Sequence, residues 1–301
     1  MESTEVTTID TTNYAAMAKM SGIANEAKGE KKSSSNLARL RVSHTPIMGE
    51  TQINGKVVKA EVVSGGTYKL EIPNGPTYYG SSVEIRPYIQ RFMYKRFLRG
   101  VGDAPNRYIK TVMADDINID LKDNDGGFNC GKPAGWIEDY KNLPESTKDL
   151  LKTIKRTRVV FGTVKLVDPV DENGESVVVP DDTPFIWEID NRDAYKNVGM
   201  VFNKLAKMQL VPIQHVFTSS TEARTIPTGA VFYVPVTNLN ITKKLDITKD
   251  NNAMFADFLG WVSNYNKYIL GEWDEKQHLK KEDAPFDASE IVDIEVELES
   301  A

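Results

Sequence analysis

The sequence predicts an α+β protein with a mainly antiparallel β core, a barrel or sandwich, and about three helices packed on it. Three observations lead there. Turn signals recur between short β-favouring runs, and two segments carry apolar residues at helical spacing while a third has a helix-entry proline. The order is strands first, then strands mixed with helices, rather than the strict alternation that builds a doubly wound parallel sheet.

Residues 1–36 are rich in Thr, Ser and Lys, close on Ser33-Ser34-Ser35, and read as a flexible leader. From Leu37 the texture changes. Asn54-Gly55, Ser64-Gly65-Gly66 and Asn74-Gly75 mark turns around the runs 56–63, 67–72 and 78–85, so 37–88 reads as an antiparallel meander. A Gly/Asp-rich loop follows at 115–135. A first helix is expected from near Pro144 to about Lys155, then strands at 158–167, 176–179 and 184–189 around the turn Asp171-Glu172-Asn173-Gly174. A second helix, about 192–208, sets Tyr195, Val198, Phe202, Leu205 and Met208 on one face. Strands at 213–218 and 230–236 bracket Pro227-Thr228-Gly229. A third helix, about 251–270, carries Met254, Phe255, Phe258, Leu259, Val262, Tyr265 and Ile269, with Gly271 as its stop. The expected organisation is the leader 1–36, a body over 37–280 that is one domain or two divided near 140, and an acidic tail over 281–301.

With 301 residues, 40% of them hydrophobic and 27% charged, the chain is long and apolar enough for a sizeable core. A single cysteine, Cys130, excludes an intrachain disulfide and a cysteine-based zinc cluster, and suits a reducing compartment. Residues 1–10 have neither the basic nor the apolar region of a secretory signal, and no apolar run approaches the ~20 residues of a membrane span. The expected location is the cytoplasm, the host's if the protein is viral. The net charge is −6, unevenly spread. Beyond Lys281 come Glu282, Asp283, Asp287, Glu290, Asp293, Glu295, Glu297 and Glu299 and no base; without these eight acids the formal charge is +2. The tail alternates its acids with Ile291, Val292, Ile294, Val296 and Leu298, which fits a partner-docking segment or an edge strand.

The most distinctive stretch is 86–110. It holds seven basic residues (Arg86, Arg91, Lys95, Arg96, Arg99, Arg107 and Lys110), five aromatics (Tyr88, Phe92, Tyr94, Phe97 and Tyr108) and one acid, Asp103. Proteins that bind single strands combine these residue types: cations follow the phosphates and aromatic faces stack on unpaired bases. If 87–97 is extended, Tyr88, Gln90, Phe92, Tyr94 and Arg96 share one face, and Ile89, Arg91, Met93, Lys95 and Phe97 the other. The same stretch also fits a core strand whose aromatics point inward. A second basic run, Lys148, Lys152, Lys155, Arg156 and Arg158, falls where the helix dipole alone favours cations.

Other motifs point to no catalyst. Asp115, Asp116, Asp120, Asp123 and Asp125 invite a metal, but Lys132 stands where a calcium loop needs its bidentate glutamate. These read as solvated loop carboxylates, with a metal-dependent enzyme as a third hypothesis. His44, His215 and His278 are isolated, Cys130 has no nearby partner, and Gly131-Lys132-Pro133 is no phosphate loop. The reading is of a non-enzyme without cofactor or metal.

Together the stretch 86–110, the hairpin-rich body and the acidic tail resemble the single-stranded DNA-binding proteins of tailed bacteriophages. That resemblance implies an OB-type β-barrel that coats single-stranded DNA cooperatively and without sequence preference, in replication or recombination. It further implies that the tail, 282–301, contacts replication proteins and competes with DNA for the basic groove. The chain departs from the pattern at its end, Glu299-Ser300-Ala301, which lacks a terminal aromatic. The alternative is a structural or assembly protein, a phage particle component or interaction module, that self-associates and binds no nucleic acid.

Overall fold

A computed structural model describes residues 37–53, 56–100, 102, 105–135 and 137–282. The leader, the tail beyond Glu282, Asn54-Gly55, Asp103 and Trp136 lie outside the described residues. The described residues from Ala38 onward belong to one unit.

Its strands are β1 (Ala38–Val42), β2 (Ile47–Ile53), β3 (Lys56–Val63), β4 (Tyr68–Glu71), β5 (Thr77–Gly80), β6 (Ser82–Leu98), β7 (Arg107–Lys110), β8 (Ile154–Val167), β9 (Thr183–Ile189), β10 (Val216–Thr225) and β11 (Val231–Asn240). Its helices are α1 (Glu145–Thr153), α2 (Arg192–Lys207) and α3 (Lys249–Glu282). Nine strands form one sheet in the order β11-β10-β6-β8-β9-β1-β4-β5, with β7 pairing β6 beside β10's edge; β2 and β3 form a sheet of their own. All pairings are antiparallel except β1 with β9. The terminal strand β5 also meets the segment where β8 ends. Tyr79 exchanges backbone hydrogen bonds with Val170, each 2.8 Å, and Ser81 N–H donates to the Val167 carbonyl. The fold is therefore mixed α/β, a large and mostly antiparallel sheet with three helices.

One core lies between the sheet and α2. It gathers Leu40, Tyr68, Leu70, Val83, Ile85, Val160, Val164, Phe185, Trp187 and Phe217 with Val198, Val201, Phe202 and Leu205 of the helix. Asn191 caps α2, its side-chain oxygen accepting from Asp193 and Ala194 N–H. A second cluster, Tyr94, Ile109, Ile117, Leu121 and Cys130, holds the 111–131 loop against the far end of β6. Cys130 is buried there, and burial, then the Asp123 carboxylate, pushes its thiol pKa up, so it stays protonated.

α3 corrects one expectation. Its buried residues include Phe258, Val262 and Ile269 as the stripe predicts, but it runs through Gly271 to Glu282. A helical glycine costs only about 1 kcal/mol, and contacts beyond it hold the last turns. The Trp273 indole N–H donates to the Gly127 carbonyl at 3.0 Å and the Gln277 amide to that of Gly126 at 2.7 Å. The strand expected at 176–179 is reduced to a single bridge, Ser176 to Val170. Among the described residues no helix is long and apolar enough to cross a membrane.

Candidate nucleic-acid interface

β6 is the longest strand, 17 residues, and carries most of the basic-aromatic stretch. Its alternation is broken once. The register with β8 shifts between Pro87 and Ile89, and Gly162 faces this bulge. A methyl group at Gly162 would collide with the Arg86 carbonyl, so the close approach needs glycine. The bulge removes Tyr88 from the face expected for it. Its ring meets Phe258 of α3 edge-on at 5.3 Å and its hydroxyl accepts from the Asn251 amide, whereas Phe92 lies beside Tyr195 of α2.

Several candidate residues are committed to the fold. Tyr88 and Tyr94 are 4% and 3% exposed, and burial raises both hydroxyl pKa values. Tyr94 donates to the Ile117 carbonyl at 3.1 Å. These two rings offer no face to a ligand, because α3 covers one and the 111–131 loop the other. Arg86 donates to the Ile213 and Asp246 carbonyls at 2.7 Å each, pinning the segment around β10 and the start of α3. Arg107 pairs with Asp125 at 2.6 Å. Phe92 is half-buried beneath the Arg158 guanidinium. Arg91 is half-buried and bonded to its neighbour's carbonyl, and Arg96 is half-buried with its Nε unpartnered. Arg99 is exposed past the end of β6.

The remaining residues converge. Cross-strand register sets Lys95 opposite Lys110 of β7 and opposite Lys155 of β8, and Phe97 opposite Tyr108. Directly opposed residues share a sheet face, so three lysines lie abreast with an aromatic pair next to them. Phe97 and Tyr108 are 42% and 52% exposed, their ring centroids 5.0 Å apart. The Lys95 and Lys110 ammonium groups sit 5.7 and 5.8 Å from the Tyr108 ring centre. Opposed like charges repel, and Glu188 of β9 offsets this by pairing with Lys95 at 2.6 Å. Burial alone would raise the Glu188 carboxyl; Lys95 and then Lys110 hold it below the ordinary range. Burial draws the Lys110 amine below its usual value, opposed by Glu188. Phe97, one of the five aromatics of 86–110, belongs to this patch, as do Lys155 and Glu188, to which sequence reasoning assigned no role in it; Lys155 could have been found by the register of β6 with β8, Glu188 by no local signal.

The acidic loop organises itself. Buried Asp123 accepts backbone N–H bonds from Asp125, Gly127 and Cys130 at 2.8–3.0 Å, so its carboxylate is a loop clamp rather than a solvated group. Asn129 likewise accepts from Leu121 N–H and donates to Asp120. Among the described residues no three His, Cys, Asp or Glu side chains converge as a metal site would require.

What the patch offers chemically is apolar ring surface, open to solvent, within reach of several ammonium groups, with one carboxylate as internal counter-charge. It carries no nucleophile with an adjacent base. No protein-family model, no curated protein and no solved structure matches this chain.

Proposed function

We propose that this protein binds single-stranded DNA without sequence preference, through the face of β6, β7 and β8 that carries Lys95, Phe97, Tyr108, Lys110 and Lys155. One observation carries the reading: two adjacent aromatic rings left open to solvent and flanked by lysines. Large aromatics are usually buried or capped; stacking on unpaired bases needs them bare, and phosphates need the cations beside them. The return of β5 onto Val170 supports treating the curled sheet as an OB-type barrel, whose open strand face is where such a ligand lies. In this reading the protein is a non-catalytic coat in phage-type replication or recombination, acting in the host cytoplasm, and its acidic segment 282–301 docks replication proteins.

The test is fluorescence anisotropy of a labelled strand of ~30 nucleotides, long enough for more than one OB-type site, against the intact protein at two salt concentrations, with duplex of the same sequence as control. Binding of the single strand that weakens steeply with salt is expected, since each phosphate contact releases counterions. No binding at low salt and micromolar protein refutes the proposal. A structural or assembly role is the second reading, favoured by the separate β2–β3 hairpin, where Met48 and Val57 stand exposed. It predicts a concentration-dependent mass by light scattering that mutation of these two residues abolishes.

A further inference from the structure

The opposite face of the same strand pair holds a second cationic cluster of a different kind. Arg156 and Arg158 of β8 pair with Tyr94 and Phe92 of β6, and strand alternation sets them on the face away from Lys95 and Phe97. Arg158 is only 7% exposed. Its guanidinium lies 4.6 Å from the Tyr195 ring centre, 5.0 Å from Phe92 and 5.8 Å from Phe202. One of its amino groups donates to Gln90, and its Nε has no partner. Arg156, exposed at the rim, shares the Tyr195 ring at 5.1 Å and donates to the Tyr195 hydroxyl at 3.2 Å. Lys132 reaches the same place from the loop, 5.5 Å from the Tyr94 ring, its ammonium donating to the Pro133 and Gly135 carbonyls.

Among the described residues, no carboxylate lies within 4.0 Å of any of these three cations. Burial first, with Arg156 adding to it, lowers the proton affinity of both Lys132 and Arg158, and Asp120 opposes this at Lys132 only from farther away. A buried, unneutralised guanidinium among like charges is unfavourable, and an apolar side chain of similar volume would fill the space better. The chain nonetheless makes room for it. Gly199 lies within α2, and a methyl there would stand 2.6 Å from Arg158 Nη2, so a helix-weakening glycine faces the guanidinium. Ring faces and one amide hold the Arg158 guanidinium in place but bring it no counter-charge.

We propose that Lys132, Arg156 and Arg158 form a binding site for a phosphate group. Arg156 and Lys132 at the rim make the direct contacts. Arg158 beneath them supplies positive potential that water does not screen, and Tyr195 fixes both guanidiniums. The site stands apart from the single-strand reading, because strand alternation sets Arg156 and Arg158 on the sheet face opposite to Lys95 and Lys155.

The experiment measures thermal stability and titration calorimetry of the intact protein with sodium phosphate and thymidine 5′-monophosphate. Thymidine and sodium chloride at matched ionic strength serve as controls, and the anisotropy assay runs in parallel. Arg156→Gln tests the rim without touching the core. Arg158→Met tests the buried charge. A saturable response to phosphate or the monophosphate, weakened about tenfold or more by Arg156→Gln, assigns the site to a small phosphorylated ligand. A similar loss of single-strand affinity in Arg156→Gln, without a response to the small ligands, assigns it to a backbone phosphate; either result upholds the site. Arg158→Met is expected to melt no lower than the native protein while losing the response, since the buried charge serves a ligand rather than the fold. If Arg156→Gln matches the native protein in every assay, the proposal is overturned. Tyr108→Ala discriminates the two faces: it leaves the phosphate response unchanged even if the single-strand proposal has failed.

Discussion

The two ends of β6 share a composition and have different fates. Near its start, Arg86 and Tyr88 are consumed: carbonyls of the 213–246 region hold the guanidinium, and Phe258 with Asn251 of α3 hold the ring. Near its end, Phe97 is as aromatic and Tyr108 lies as close to cations, yet among the described residues no element buries either ring. Local sequence does not separate these fates. What separates them is where elements from the other half of the chain come to rest, since α3 crosses the bulge at Tyr88 and leaves the β6–β7 end open. An aromatic-basic run is therefore material for a core or for a binding surface, and burial decides which.

Substitutions at the two ends should divide accordingly. Tyr88→Ala removes a buried ring and an Asn251 partner, and should lower unfolding free energy by about 3–5 kcal/mol while leaving single-strand affinity unchanged under folding conditions. Urea unfolding followed by anisotropy on the folded sample checks both halves of this. A small stability loss with a large affinity loss would place Tyr88 in the interface and dissolve the contrast. Tyr108→Ala should behave in the opposite sense. Loss of one stacking ring corresponds to about 1–3 kcal/mol, roughly a five- to 150-fold weaker complex, with stability within ~0.5 kcal/mol of native. Unchanged affinity there would remove the aromatic platform from the proposed function.

What the sequence made legible follows the range of the interactions involved. The bounds of α1 and α2 come from local signals, the Pro144 entry and the Asn191 cap with its apolar stripe, and lie within two residues of the expectation. The extended state of 87–97 enters that reading as a condition, which β6 meets. The bulge at Tyr88 was not, because it depends on Gly162, which is distant in sequence. Gly271 reads as a helix stop until Trp273 and Gln277 find the Gly126-Gly127 carbonyls. Arg156 reads as a helix-dipole cation and Arg158 as the first residue of a strand; both lie within β8, stacked on a ring of α2. Asp123 reads as a solvated carboxylate until three backbone N–H groups of its own loop turn toward it. In each case the missing information is the partner, not the residue.

The sharpest form of the contrast concerns counter-charge within the open patch. Lys95 spends its charge on Glu188, at 2.6 Å with both side chains a third exposed or less. Glu188→Gln should remove about 1 kcal/mol of stability. The carboxyl is held below its ordinary value of 4.5 in the folded state. Its contribution is therefore present in full above that pH and lost as pH falls through the lower folded value, so native and variant stabilities converge on acidification. The effect on binding runs the other way. Releasing Lys95 adds a cation beside Tyr108, and single-strand affinity should rise a few-fold at low salt, shrinking as salt increases. Anisotropy at two salt concentrations reads this directly. If affinity falls instead, Glu188 serves as a positioning residue that aims Lys95 at the strand, and the patch works by geometry more than by charge.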